Sequence, residues 1–419
     1  MICMSKLAID NCQLSIRNES PPHRLTFSIT LSSSLSHPSI TPFTPPTHWQ
    51  LRRIAFPPLL PYSPPMPPIP PSQSSLSGTG QFPAADRETF AAEELAIVLS
   101  HYDIGIIQSV AKFPRGSRKA PKILITSDQG KFLLKRRARG KDDAAKVVFS
   151  HALQHFLADK QFPLPHLFRT KADNNSMLQS QGAVYELFEY IPGQSYPQTL
   201  EATLDAGRIL GLFHRLLETF QSDYQAPSAS YHNQPSIEHA FAAIPAATAD
   251  LPSILSFLHQ TYLDAAAQVE SARISTWPRQ YVHADWHPGN MLFRDNRVVA
   301  VIDYDSARLL PRILDIANGA LQFSMIAPDD RPQNWPDYVD ESRFKRFIRG
   351  YDQLRLLSDA EIHVMPGLMI QALIAESVLP IAISGSFGRI DGLPFLQMVQ
   401  RKALWLTQSG QKLIDLLAV

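Results

Sequence analysis

The order of elements predicts an α+β fold in two lobes, a small antiparallel β-rich lobe followed by a larger α-helical one. Short alternating apolar runs cluster between residues 105 and 137, and helix-spaced apolar residues dominate after residue 193. One stretch interrupts the helical part, "YVHADWHPGN" from Tyr281 to Asn290, dense in His, Asp and Asn. Alternation at period two marks a half-buried strand, and recurrence at three and four marks an amphipathic helix.

Taken in chain order, a helix is expected over about 87–100, and strands in "GIIQSVAKF", "PKILITS" and "KFLLKRR", with "SDQG" as the turn between the last two. A helix follows at about 141–159, then an extended "QFPLPHLFRT" and a strand in "AVYELFEYI" closed by Pro192-Gly193. The chain then turns mostly helical. Its longest apolar run, "LMIQALIAESVLPIAI", is interrupted by Gln371, Glu376 and Pro380 and reads as a buried helix, not a membrane span. The domain reading is 1–85, 86–192 and 193–419.

Residues 1–85 stand apart. Sixteen of the 35 prolines fall there, Ser and Thr fill the gaps, and acidic residues are nearly absent from Pro21 to Ala85. Such a segment buries too little apolar surface to offset its ordering entropy. It is expected to be a disordered tail; an organelle-targeting peptide and a Pro-rich docking site are the competing readings. The 419 residues carry a formal net charge of +1 and are 44% hydrophobic. Near-neutrality argues against nucleic acid as the partner. Both cysteines, Cys3 and Cys12, precede the folded part, which excludes a disulfide scaffold, a thiol nucleophile or a structural zinc site within it. A cytoplasmic location, no membrane contact and no obligate protein partner are the expectations.

The chemistry concentrates in "HADWHPGNMLFRDNRVVAVIDYDSA". Residues 291–294 form a short strand, "RDN" is turn chemistry, and "RVVAVID" is a second strand. Paired as an antiparallel hairpin, they bring Asn290 beside Asp303, with Asp285 on the loop just before. An amide oxygen and carboxylates converging on one point suit Mg²⁺ and leave Asp285 to accept a proton from a hydroxyl. Phosphoryl transfer needs that combination, and the spacing matches the kinase catalytic loop with its metal-binding Asp. A metal hydrolase would use His283, Asp285, His287, Asp303 and Asp305 as ligands and leave Asn290 without a role. A satisfied polar turn is the bland alternative.

The form "HADWHPGN…VIDYDSA…DIA" resembles the aminoglycoside phosphotransferase and choline/homoserine-type small-molecule kinase family, which has the protein-kinase-like fold. The resemblance covers roughly residues 95–405. It implies Asp285 as catalytic base, Asn290 and Asp303 as Mg²⁺ ligands, His283 supporting the loop by hydrogen bonding, and Asp315 as a buried brace. Asp305 adds a second metal contact or caps the turn. It also implies Lys135 as the strand lysine for ATP phosphates, with Gly116 and Ser117 in the loop before it. That loop has one glycine and also reads as an ordinary basic hairpin loop. Adenine would bond backbone groups near Glu189, Tyr190 and Ile191. His214 reads as a packed helical histidine.

One departure stands out. Where the family often reads Phe-Glu-His-Ala-Leu, this chain has Phe149-Ser150-His151-Ala152-Leu153, so the usual glutamate partner of Lys135 is missing. Asp142 or Asp143 reaches the lysine instead, or the pair is absent. Arg136, Arg137 and Arg139 read as a solvated charge run. For the acceptor, Asp329, Asp330, Asp337, Asp340, Glu341 and Glu376 are candidate carboxylates, and Trp286, His287 and Arg308 flank the loop. The implied function is transfer of the γ-phosphate of ATP, with Mg²⁺, to a hydroxyl of a small molecule. The alternative is a catalytically weak nucleotide-binding or interaction module.

Overall fold

A computed structural model describes residues 87–224, 226–232, 234–245 and 248–417. The readings of residues 1–85 lie outside these.

The first lobe is a six-stranded antiparallel sheet with a helix on each side. Helix α1 (Ala92–Ser100) starts later than expected, at a turn where Glu94 receives the Ala91 N–H. Strands β1 (Ile107–Lys112), β2 (Lys122–Ser127) and β3 (Gly130–Arg136) follow as a meander. Helix α2 (Ala144–Asp159) is capped by Asp143, whose carboxylate accepts the Lys146 N–H. Strands β4 (Leu167–Phe168), β5 (Leu178–Ser180) and β6 (Ala183–Glu189) complete the sheet, in the order β1-β2-β3-β6-β4 with β5 also on β6. Alternate residues of β2 are buried, and with Phe132, Leu134, Tyr185 and Leu187 they form a core under α1. Arg136, expected in solvent, is tied to Glu94 of α1 and to Glu88 ahead of that helix.

The second lobe is helical: α3 (Leu200–Leu216), α4 (Pro235–Ala243), α5 (Leu251–Ser271), α6 (Arg312–Ser324), α7 (Glu341–Asp352), α8 (Asp359–Ser384) and α9 (Gly392–Asp415). Between α5 and α6 lie two small antiparallel pairs, β7 (Gln280–Val282) with β10 (Arg308–Leu310), and β8 (Met291–Arg294) with β9 (Arg297–Val301). The apolar run expected as a buried helix lies within α8, which continues through Pro366 and Pro380. By length and composition α8 is long enough to cross a membrane, but 67% of its most apolar window is buried within the fold. Its neighbours α4, α5, α6 and α9 supply the apolar surroundings that a bilayer otherwise would.

The β8–β9 hairpin is the element that matters most for position. Asp295 and Asn296 both have positive φ (50° and 61°), the backbone of a two-residue type I′ turn. Asp205 of α3 is fully buried; its carboxylate accepts the Val298 N–H at 2.8 Å and pairs with Arg297, which pins the hairpin to the helical core. At the entry to this lobe, Gln194 and Phe293 exchange two backbone hydrogen bonds, so the connection from β6 is stitched to the same hairpin.

Candidate active site

Met291 pairs with Val301 at the open end of the hairpin, and the Ile302 N–H donates to the Asn290 carbonyl at 2.9 Å. Asn290 is thus opposite Ile302, and Asp303 follows on the other arm, one residue past that bond. Asp303 has φ +70°, a left-handed backbone that Asp tolerates better than most residues, and it faces a cleft of about 720 Å³ between sheet and helices. That volume suits a nucleotide-sized ligand.

Asp285 lies behind the cleft and is 8% exposed. The Asn290 side-chain amide donates to its Oδ2 at 2.7 Å and to its backbone carbonyl at 3.0 Å, which turns the amide oxygen away from Asp285. His287 Nδ1 accepts the Gly289 N–H, so its Nε2 carries the proton and lies 3.7 Å from Asp285 Oδ1. The loop itself hangs from Asp315 of α6. Its two carboxylate oxygens accept the N–H groups of His283 (2.8 Å) and Ala284 (2.9 Å), and Ala284 is another left-handed residue. His214 donates Nε2–H to the same carboxylate and accepts from the Tyr351 hydroxyl. Burial, which disfavours the charged imidazole, holds the His214 pKa below its ordinary value against the pull of Asp315.

His283 departs from its expected role. Neither ring nitrogen has a hydrogen-bond partner among the described residues; the ring packs against Phe213, Trp286 and Tyr304 instead. Trp286 is fully buried and cannot touch an acceptor without rearrangement. Asp305 is turned away from the hairpin end into an ion pair with Arg137 at 2.6 Å.

On the sheet side, Lys135 is directly opposite Glu186 in the β3–β6 register, and Nζ lies 3.0 Å from Oε2. Burial alone would lower the Lys135 pKa, but Glu186 foremost, then Asp305 and Asp303, hold it above its ordinary value. Burial pushes the Glu186 carboxyl up, and Lys135, the His151 hydrogen bond and Arg137 outweigh that and hold it far below the usual carboxylate range. The lysine thus has a carboxylate after all. Asp142 is occupied with the Gly140 N–H and Asp143 with capping α2, so neither expected substitute serves.

Gly116, Glu189 and Ile191 all line the cleft with Lys135, Asp303 and Asp305. Ser117 does not: it is exposed, its carbonyl bonded by Arg87 and its hydroxyl by the Lys119 N–H. The N–H groups of Glu189 and Tyr190 donate to His166 and Lys131 carbonyls.

Of the acceptor candidates, Asp337 pairs with Arg401, Asp340 caps α7 and Glu341 pairs with Lys412, while Asp329 and Asp330 border the cleft. Of the six carboxylates, Glu376, on α8, is close enough to Asp285 to feel its charge, and its Oε2 accepts from Gln322 at 3.0 Å. Burial, then Asp285, push the Glu376 pKa up to about 8. Glu186 and Arg137 were missed as functional residues. The available signal was a glutamate inside the apolar strand "AVYELFEYI", since an ionisable side chain in a buried strand is rarely there without a partner.

The geometry agrees with the comparisons. The family model "Phosphotransferase enzyme family" matches residues 110–357, more than half of the chain. The chain belongs to that family. Among its relatives is a homoserine kinase of Zymomonas mobilis, 25% identical over 273 residues that cover 64% of this chain and 79% of that protein. Among solved structures, a microcompartment-associated aminopropanol kinase superposes with a TM-score of 0.58 at 14% identity, covering 77% of this chain and 98% of the other. An amicoumacin kinase in complex with AMP-PNP, Ca²⁺ and its substrate gives 0.53 at 12% identity, covering 78% and 94%. The structural likenesses establish the protein-kinase-like fold of this phosphotransferase.

Proposed function

We propose that this phosphotransferase moves the γ-phosphoryl group of ATP, with Mg²⁺, to the hydroxyl of a small amino alcohol. The observation that supports the reading is that Asn290 bonds Asp285 and is paired with Ile302, the neighbour of Asp303, which lines one cleft with Lys135. The donor set fits Mg²⁺: an amide oxygen and a carboxylate supply hard oxygen ligands, and phosphates supply more. A hydrolase-type cluster fits less well, because Asp305 is engaged by Arg137 and His283 is packed among rings. When bound between Asn290 and Asp303, the cation would neutralise phosphate charge.

In this reading Asp285 takes the proton from the acceptor hydroxyl. The acceptor oxygen forms its bond to the γ-phosphorus as the bond to the β–γ bridging oxygen breaks, and ADP leaves with that electron pair. Asn290 holds the Asp285 carboxylate at one oxygen and His287 borders the other, so the base is oriented before substrate arrives. Lys135 steadies the phosphates, and the Gly116 loop closes over them. Ile191 is the backbone group we assign to adenine, since the N–H groups of Glu189 and Tyr190 are committed elsewhere. Glu376, beside Asp285, is suited to an ammonium group on the acceptor. Homoserine and aminopropanol, named for two relatives, carry both an amino group and a hydroxyl.

The alternative of a weak nucleotide binder rests on the missing helix glutamate and on a loop with one glycine; Glu186 at 3.0 Å from Lys135 answers the first. The deciding experiment is Asp285→Asn, assayed for ADP release with a panel of amino alcohols. Nucleotide affinity should be retained and kcat should fall by about 1,000-fold. Full turnover by the variant would reject Asp285 as the base.

A further inference from the structure

Kinases of this fold usually pair the strand lysine with a glutamate from the following helix. In this chain Ser150 stands at that position of α2, 2% exposed, its hydroxyl taken by the Gln154 side-chain amide at 3.2 Å. Its side chain is too short to reach across to a strand lysine and has no charge to offer one. Glu186 offers both, from the neighbouring strand. It is 1% exposed, and both its oxygens are engaged. Oε1 accepts from Arg137 Nη1 at 2.5 Å and from His151 Nε2 at 2.8 Å, while Oε2 faces Lys135 Nζ at 3.0 Å. Two donors on Oε1 fix the carboxylate and aim Oε2 at the lysine as an ion pair.

Arg137 carries the arrangement further. It is 6% exposed, its Nε is anchored on the Lys141 carbonyl at 2.6 Å, and its Nη2 reaches Asp305 at 2.6 Å. Asp305 is two residues beyond Asp303. The groups Lys135, Glu186, Arg137 and Asp305 thus form one chain of charges from the sheet to the loop that follows the hairpin.

We propose that Glu186 is the positioning residue for Lys135, having taken over the task from α2, and that Arg137 ties that pair to the loop of Asp303. The inference rests on the nucleotide reading of the cleft. Its consequence is mechanical. The carboxylate that orients the lysine comes from the adjacent strand of one sheet, α2 adds only the His151 ring to it, and what couples it to the helical lobe is the Arg137 fork.

The test is ATP affinity measured calorimetrically in EDTA, where the phosphate–lysine contact counts without metal, alongside the steady-state constants for MgATP. Wild-type protein that binds no ATP at all overturns the kinase reading itself. Given wild-type binding, Glu186→Gln should weaken metal-free ATP binding about tenfold and lower kcat/KM for ATP about 100-fold. Adding Ser150→Glu to that variant should restore part of both, since it returns a carboxylate to the helix. A folded Glu186→Gln with wild-type ATP affinity overturns the proposal and leaves the kinase reading intact. Should Glu186→Gln fail to fold, Glu186→Asp keeps the charge and shortens its reach. Weaker metal-free binding at an unchanged melting temperature supports the proposal, and unchanged binding overturns it.

Discussion

At the scale of single residues, carboxylates of one chemistry do different work because their surroundings differ. Asp315 is buried and accepts two backbone N–H groups, so it is a brace; Asp285, also buried, is held at one oxygen by Asn290 and bordered at the other by His287. Glu376 is set apart by its raised pKa of about 8, which burial and Asp285 produce. Its carboxyl is therefore mostly protonated at neutral pH and gains charge as pH rises through about 8. An acceptor ammonium is recognised by the charged form only. The KM of an amino alcohol should thus fall between pH 7 and about 8.5, and Glu376→Gln should abolish that fall while raising KM at the upper end. A KM profile that Glu376→Gln leaves unchanged would remove Glu376 from acceptor recognition. Lys135 and Glu186 show the reverse case, in which a half-buried lysine and a buried glutamate keep each other charged.

At the scale of elements, the site depends on how closely helices approach. Gly207 of α3 and Gly350 of α7 each sit against the backbone of the other helix: a Cβ at Gly207 would lie 1.9 Å from the Phe347 carbonyl oxygen, and one at Gly350 1.9 Å from that of Leu204. No side chain can yield there, because the obstacle is backbone. Gly350→Ala should therefore destabilise the protein by about 3 kcal/mol, read from chemical denaturation. An unchanged midpoint would mean that the helices can part without cost. The effect should extend to the site, since Asp205 of α3 holds the β8–β9 hairpin. That hairpin was legible in the sequence because its apolar runs and its Asp-Asn turn are local features. Strands β5, β7 and β10 were not; two- and three-residue pairings carry too little periodicity to be seen.

At the scale of the molecule, the cleft proposed to hold ATP exists only because sheet and helices face each other across it. Contacts that bridge them include Arg137 with Asp305, Gln194 with Phe293, and Arg294 with the Pro192 carbonyl at 2.7 Å. A ligand that touches both sides stabilises the folded chain by mass action, about 2.7 kcal/mol at a hundredfold excess over Kd. MgATP should raise the melting temperature more than ATP in EDTA does, and Asp303→Asn should erase that difference while the metal-free shift remains. A magnesium-dependent shift that survives in Asp303→Asn would place the cation elsewhere.

The sequence by itself determined the order of elements, the two-lobed plan, and the grouping of Asp285, Asn290 and Asp303, because each is encoded within a short span where periodicity and turn chemistry act. It also marked the departure at Ser150. What replaced the missing glutamate was decided only by tertiary structure. Lys135 and Glu186 are 51 positions apart in number and meet through strand register, which no local pattern specifies. Arg137 read as one of several solvated arginines until burial beside Glu186 and Asp305 gave its charge two fixed partners. Long-range pairing assigns the partner of a buried charge, and so the last step of the site was written in the fold.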